Sequence, residues 1–172
     1  MTTANKLTLF RVLLIPVFLV LAYTGHMRWA LAVFVIASLT DMLDGYIARH
    51  YNQITDFGKF MDPLADKVLV LAAMCFFVER GFMPGWAVAI VLLREFAVSG
   101  MRLIAVEQGR VIAAAWSGKI KTAVTMVGLA AMLLFSSYPW VNTLVTALIV
   151  ITTVWSGVEY FYKNRDVFKN VD

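Results

Sequence analysis

Asp41, Asp44, Asp62 and Asp66 fall within 26 residues of a chain that is 61% hydrophobic. Carboxylates in apolar surroundings are costly, and four together repel one another unless cations neutralise them. An oxygen-only set of this kind suits hard divalent ions such as Mg²⁺, Mn²⁺ or Ca²⁺ and not zinc. Four carboxylates can hold two such ions about 4 Å apart, an arrangement that favours phosphoryl transfer. The chemistry should therefore be sought in the stretch DMLDGYIARHYNQITDFGKFMDPLADK.

The elements that carry these residues are apolar runs long enough to cross a bilayer. The chain has 172 residues and a mean hydropathy of +0.78. Soluble domains carry fewer apolar and more charged residues than this. Six spans of roughly 20 residues are expected, over residues 7–23, 29–49, 60–77, 84–106, 113–135 and 140–162. They use nearly the whole chain, so residues 1–172 are read as one membrane-embedded domain. The first run is expected to be a retained span and not a cleaved signal. The fold class is thus an all-α, polytopic membrane protein. Cys75, the single cysteine, reads as a small buried apolar residue.

Charge sets the orientation. With the N-terminus inside, twelve of the fifteen lysines and arginines fall on or near the inner side, two outside (Arg28 and Arg80), and Arg94 lies mid-span. This asymmetry places both termini in the cytoplasm. Trp29, Trp86 and Trp140 begin spans on the outer side, as an interfacial belt would. Membrane lipids are expected partners and nucleic acid is not.

Helical spacing then organises the aspartates. Asp41 and Asp44 are separated by three residues, and Asp62 and Asp66 by four, so each pair shares a helix face. Counted from Arg49 and Gly58, Asp41 and Asp66 lie about 12 Å deep and Asp44 and Asp62 about 6–7 Å deep. An antiparallel hairpin sets them opposite one another, in a box open to the cytoplasm. Gly45 and Ala48 would allow a ligand or a neighbouring helix to come close, Arg49 could meet a phosphate, and Gly58 reads as part of a loop with Asp56.

The pattern Asp41-x-x-Asp44-Gly45-x-x-Ala48-Arg49, eight residues, then Gly58-x-x-x-Asp62-x-x-x-Asp66 resembles the signature of the CDP-alcohol phosphatidyltransferases at every fixed position. That resemblance implies six transmembrane helices around a polar cavity facing the cytoplasm. It implies two divalent cations, Mg²⁺ or Mn²⁺, at Asp41, Asp44, Asp62 and Asp66, with Asp66 also the base. It assigns the CDP moiety of CDP-diacylglycerol to Asp41, Gly45, Ala48, Arg49 and Gly58. It further implies a homodimer in a bacterial cytoplasmic (inner) membrane. The segments Asn5–Arg11, Arg94-Glu95 with Arg102, and Ser117-Gly118-Lys119-x-Lys121-Thr122 are similar to the branch that makes phosphatidylglycerophosphate, which adds Asn5 and Thr8 to the nucleotide end.

The acceptor is read from basic residues. Arg94, Arg102, Arg110, Lys119 and Lys121 gather on the fourth and fifth spans, which suits an acceptor carrying its own phosphate, such as sn-glycerol 3-phosphate. The same residues also read as interfacial anchors, and Arg94 as the partner of Glu95 in an ion pair. Inositol phosphate, serine or phosphatidylglycerol is an alternative acceptor. A divalent-cation transporter could use the same carboxylates, but beyond Asp41 and Asp66 the spans are almost wholly apolar until Glu79, leaving no polar path outward.

Overall fold

The computed structural model describes the backbone of residues 3–50, 56–110, 112–113 and 115–170, and the side chains of these except 3–6, 41–50, 56–63, 66 and 168–170. The described residues form six α-helices and no strand: α1 Thr3–Tyr23, α2 Met27–His50, α3 Asp56–Glu79, α4 Gly85–Glu107, α5 Trp116–Phe135 and α6 Pro139–Lys163. A short 3₁₀ helix, Arg165–Asn170, follows α6. Every apolar run of the sequence is a helix, because a buried or lipid-facing backbone must satisfy its own hydrogen bonds.

Several starts differ from expectation: α1 begins at Thr3 and not at residue 7, and α5 at Trp116 and not at residue 113. α3 begins at Asp56, so Asp56 and Gly58 belong to its first turn and not to a loop. The 3₁₀ helix after α6 had no signal, since RDVFKN is polar and too short for a period to emerge.

The short connections are set by glycine. α1, α3 and α4 end at Gly25, Gly81 and Gly109, whose φ values are 84°, 72° and 71°. After α4, Arg110 N–H returns to Ala105 O at 2.8 Å and Gly109 N–H to Val106 O at 2.9 Å, the paired bonds of a Schellman ending. The same pattern closes α3, where the Phe77 and Phe82 rings meet across the turn.

The helices pack as a closed ring. α1 lies against α2 and α3, α2 against α5, α5 against α6, α6 against α4, and α4 returns to α3. Toward the end at which α1 and α3 finish, Phe18, Phe34, Phe76, Phe77, Met74 and Met132 are wholly or almost wholly buried. α5 and α6 approach closely at Gly128, where a Cβ would stand 2.7 Å from Val145 Cγ1. A separate small cluster joins Val98, Met101 and Ala105 of α4 to Tyr160 of α6 and Val167 of the 3₁₀ helix.

Large apolar side chains also cover the outside: Leu13, Val20, Leu93, Phe96, Val127 and Val158 are all at least 60% exposed. Cys75 is exposed too, and is not the buried residue expected. Among the described residues, α5 and α6 are long and apolar enough to cross a membrane, and shorter apolar stretches cover Leu7–Tyr23 and Met27–Thr40.

Candidate functional site

Asp41 and Asp44 lie in the last three turns of α2, and Asp62 and Asp66 in the first three turns of α3. Counted from the observed helix ends, Asp44 is six residues before His50 and Asp62 six after Asp56. Asp41 is nine before and Asp66 ten after. At about 1.5 Å per residue both pairs keep matched depth, near 9 Å and near 14–15 Å. The side chains of all four lie outside the described residues, as do those of Asn5, Gly45, Ala48, Arg49 and Gly58. Among the described residues no three His, Cys, Asp or Glu side chains are grouped as metal ligands would be.

α2, α4, α5 and α6 line a cavity of about 700 Å³. α2 contributes Ser38 and Leu39, α4 contributes Arg94, Glu95 and Arg102, α5 contributes Gly118 and Lys119, and α6 contributes Tyr160. Asp41 comes three residues after Ser38, so the acidic register continues directly from the cavity wall.

Arg94 is held from two sides. It donates from Nη1 to Glu95 Oε1 at 3.1 Å and from Nη2 to Ser156 Oγ at 2.6 Å. Glycines make room for it: a Cβ at Gly118 would lie 3.4 Å from Nη2, and one at Gly157 would lie 3.3 Å from Cγ. Its Nε is buried with no hydrogen-bond partner among the described residues. Lys121 donates to the same Glu95 oxygen at 2.6 Å. Lys67, the residue after Asp66, lies 3.7 Å from the other Glu95 oxygen and donates to Ser99 Oγ at 2.8 Å.

Glu95 thus faces cations from α3, α4 and α5. Among the described residues, three cations against one carboxylate leave a surplus of two positive charges in a largely buried group. A surplus of this kind in a low-dielectric wall attracts anions. Such a wall can grip a phosphate.

Of the five basic residues singled out in the sequence, Arg94, Arg102 and Lys119 line the cavity together. Lys119 also sits over the Trp116 ring, 5.4 Å from its centre. Lys121 does not join them. It is buried against Glu95 and borders a second, smaller cavity between α3, α4 and α5. Arg110 lies on the exposed turn after α4, outside both cavities.

On α1, Thr8 and Arg11 are both fully buried. The charge pattern puts Arg11 among the cations on or near the inner side, and the structure encloses it fully. Reading the sequence missed Ser156, Tyr160 and the tie of Lys67 and Lys121 to Glu95. No local pattern announces them, since their partners lie 26 to 62 residues away.

The profile of the CDP-alcohol phosphatidyltransferase family matches residues 1–155. Over 96% of both chains, the sequence is 41% identical to a Bacillus subtilis protein named CDP-diacylglycerol–glycerol-3-phosphate 3-phosphatidyltransferase. A Salmonella typhimurium protein of the same name is 41% identical over 92% of each chain. A Mycobacterium tuberculosis protein named probable phosphatidylglycerophosphate synthase is 38% identical, over 91% of this chain and 78% of its own.

Proposed function

The chain belongs to the CDP-alcohol phosphatidyltransferase family, and on that premise we propose that it transfers the phosphatidyl group of CDP-diacylglycerol to sn-glycerol 3-phosphate, giving phosphatidylglycerophosphate and CMP. The observation that carries the acceptor is the cationic wall of Arg94, Arg102 and Lys119 in a cavity whose α2 side ends at Leu39, two residues before Asp41. A neutral alcohol needs no such wall. A phosphorylated acceptor does, and arginine can hold its phosphate with a bidentate fork.

The protein acts as a single multi-pass domain of a bacterial cytoplasmic membrane, with six spanning helices, both termini inside, and a homodimeric assembly. The apolar coat of exposed leucine, valine and phenylalanine side chains supports lipid contact. Short turns return α2 onto α1, α4 onto α3 and α6 onto α5, and these support the alternating topology.

The donor set of four carboxylates in matched register fits an oxygen-liganded pair of divalent cations, Mg²⁺ or Mn²⁺. Held by Asp41, Asp44, Asp62 and Asp66, these cations would neutralise the diphosphate charge and favour departure of CMP. Asn5, Thr8, Asp41, Gly45, Ala48, Arg49 and Gly58 bind the CDP end. Arg94, Arg102 and Lys119 fix the acceptor phosphate so that its free hydroxyl points to the diphosphate. Lys121 supports this wall through Glu95. Asp66 accepts the hydroxyl proton. The acceptor oxygen bonds to the β-phosphorus as the bond from that phosphorus to the CMP oxygen breaks, and no covalent enzyme intermediate forms.

The test is CMP release by purified protein given CDP-diacylglycerol, Mg²⁺ or Mn²⁺, and a panel of alcohols. Turnover with sn-glycerol 3-phosphate and its loss in chelator are expected. Preference for inositol phosphate, serine or phosphatidylglycerol would reassign the acceptor, and full activity in chelator would remove the cations.

A further inference from the structure

Tyr160 lies five residues beyond the segment that matches the family profile. It is only 1% exposed. Its ring is fixed by Val98, Met101 and Ala105 of α4 and by Val167 of the C-terminal 3₁₀ helix. That 3₁₀ helix is in turn tied to α4, because Gln108 Nε2 donates to Val167 O at 3.0 Å.

The one polar atom of this ring is aimed at the cavity wall. The Tyr160 hydroxyl accepts a hydrogen bond from Arg102 Nε at 2.9 Å, and the Arg102 guanidinium carbon lies 5.4 Å from the centre of the same ring. Both residues line the large cavity. Among the described residues no other hydrogen bond engages Arg102. Its Nε and one flank are therefore committed to Tyr160, and its two Nη groups are left for a ligand. An exposed arginine without such a bond samples many rotamers, and a ligand that binds it must first order them. A rigid tyrosine supplies that order in advance.

Arg94 is held differently, by a carboxylate and a serine in the middle of the bundle. The two arginines of the wall thus have independent supports. We infer that Tyr160 is a positioning residue for acceptor recognition: it holds Arg102 with its fork toward the cavity and so sets the affinity for the acceptor's phosphate. The C-terminal 3₁₀ helix acts as the brace behind it. This inference rests on the proposed role of Arg102 at the acceptor phosphate.

Tyr160→Phe keeps the ring and its packing and removes only the hydroxyl. The KM for sn-glycerol 3-phosphate should rise about fivefold to tenfold, the loss expected for one hydrogen bond of ordinary net strength. The kcat and the KM for CDP-diacylglycerol should stay within about twofold, and the thermal midpoint in detergent should hardly move. In the Arg102→Ala background the same substitution should change nothing further. In the Arg102→Lys background, which keeps the charge and loses the Nε donor, it should again be silent.

An unchanged acceptor KM in Tyr160→Phe overturns the inference. So does an equal rise in the Arg102→Ala background, because Tyr160 would then act on its own account. Failure of the acceptor assignment is read separately, from the wild-type protein. If that protein uses sn-glycerol 3-phosphate and Tyr160→Phe matches it, only the positioning role falls.

Discussion

The two ends of the bundle are built on opposite terms. Where α1 and α3 finish, the largest buried side chains include the rings Phe18 against Phe34 at 5.9 Å and Phe76 against Phe77 at 5.5 Å, and the exposed Tyr23 ring caps Phe76 at 5.2 Å. Even the charges there serve closure, with Tyr23 hydrogen-bonded to Glu79 and Arg80 donating to Tyr23 O. Where α4 finishes and α5 begins, the buried set includes Arg11, Ser117, Lys121 and Ser156, and the walls stand apart around a cavity. In lipid there is little hydrophobic gain from joining helices, so dense packing and polar bonds must hold them. The ring-filled end supplies the packing. This lets the other end keep a charged hollow.

That division can be broken most sharply at Asp66. Asp66→Asn should lower turnover by on the order of 10³-fold, the scale of a lost general base beside a cation site. CDP-diacylglycerol binding and the thermal midpoint should be nearly unchanged. CMP release and lipid retention, measured on the same preparation, check it. A variant that fails through unfolding would show that this end also carries stability. At the opposite end Phe76→Ala should do the reverse. It should cost about 3 kcal/mol of stability, read as a lowered thermal midpoint, with kcat of the surviving folded protein within about twofold. A matching loss of kcat would mean that the ring-filled end is coupled to the chemistry.

Within the cavity wall the effects should be smaller and confined to one substrate. Arg102→Ala should raise the KM for sn-glycerol 3-phosphate by about tenfold, since it removes a charged hydrogen bond to a ligand. The KM for CDP-diacylglycerol should move less than about twofold. An unchanged acceptor KM would take Arg102 out of the pocket. Equal shifts in both KM values would mean that the wall serves both substrates.

The helices themselves were legible because each is a long apolar run closed by Gly25, Gly81 or Gly109, or by Pro84 and Pro139. The acidic register was legible for a similar reason, since Asp41, Asp44, Asp62 and Asp66 repeat at helical spacing within one stretch. The cavity wall was legible only in part. Arg94 and Glu95 are neighbours, but which other cation Glu95 takes depends on how α5 turns against α4, and Lys121 was chosen over Lys119. Tyr160 reaches Arg102 across 58 residues, and Ser156 reaches Arg94 across 62. Such pairings follow from the order in which helices close the ring. No periodicity within a helix encodes that order, and an isolated tyrosine near the end of an apolar helix reads as an interfacial ring.

Arg110 sharpens the same contrast by being the exception. In sequence it stands with Arg102 and Lys119 as one basic group. In the structure it follows the left-handed Gly109 turn, its amide bonded to Ala105 O at 2.8 Å, its side chain exposed and away from the cavity. A charge so placed acts on an anionic substrate only through solvent, and salt screens it over about 8–10 Å. Arg110→Gln should therefore raise the acceptor KM by less than about twofold at low salt, and not at all in about 0.5 M NaCl. Under the same salt, the Arg102→Ala effect should persist, because direct contact in a partly enclosed site is screened far less. Steady-state titrations of sn-glycerol 3-phosphate at the two salt concentrations read both effects at once. A tenfold, salt-resistant rise for Arg110→Gln would move the acceptor site out of the cavity and onto the α4–α5 turn.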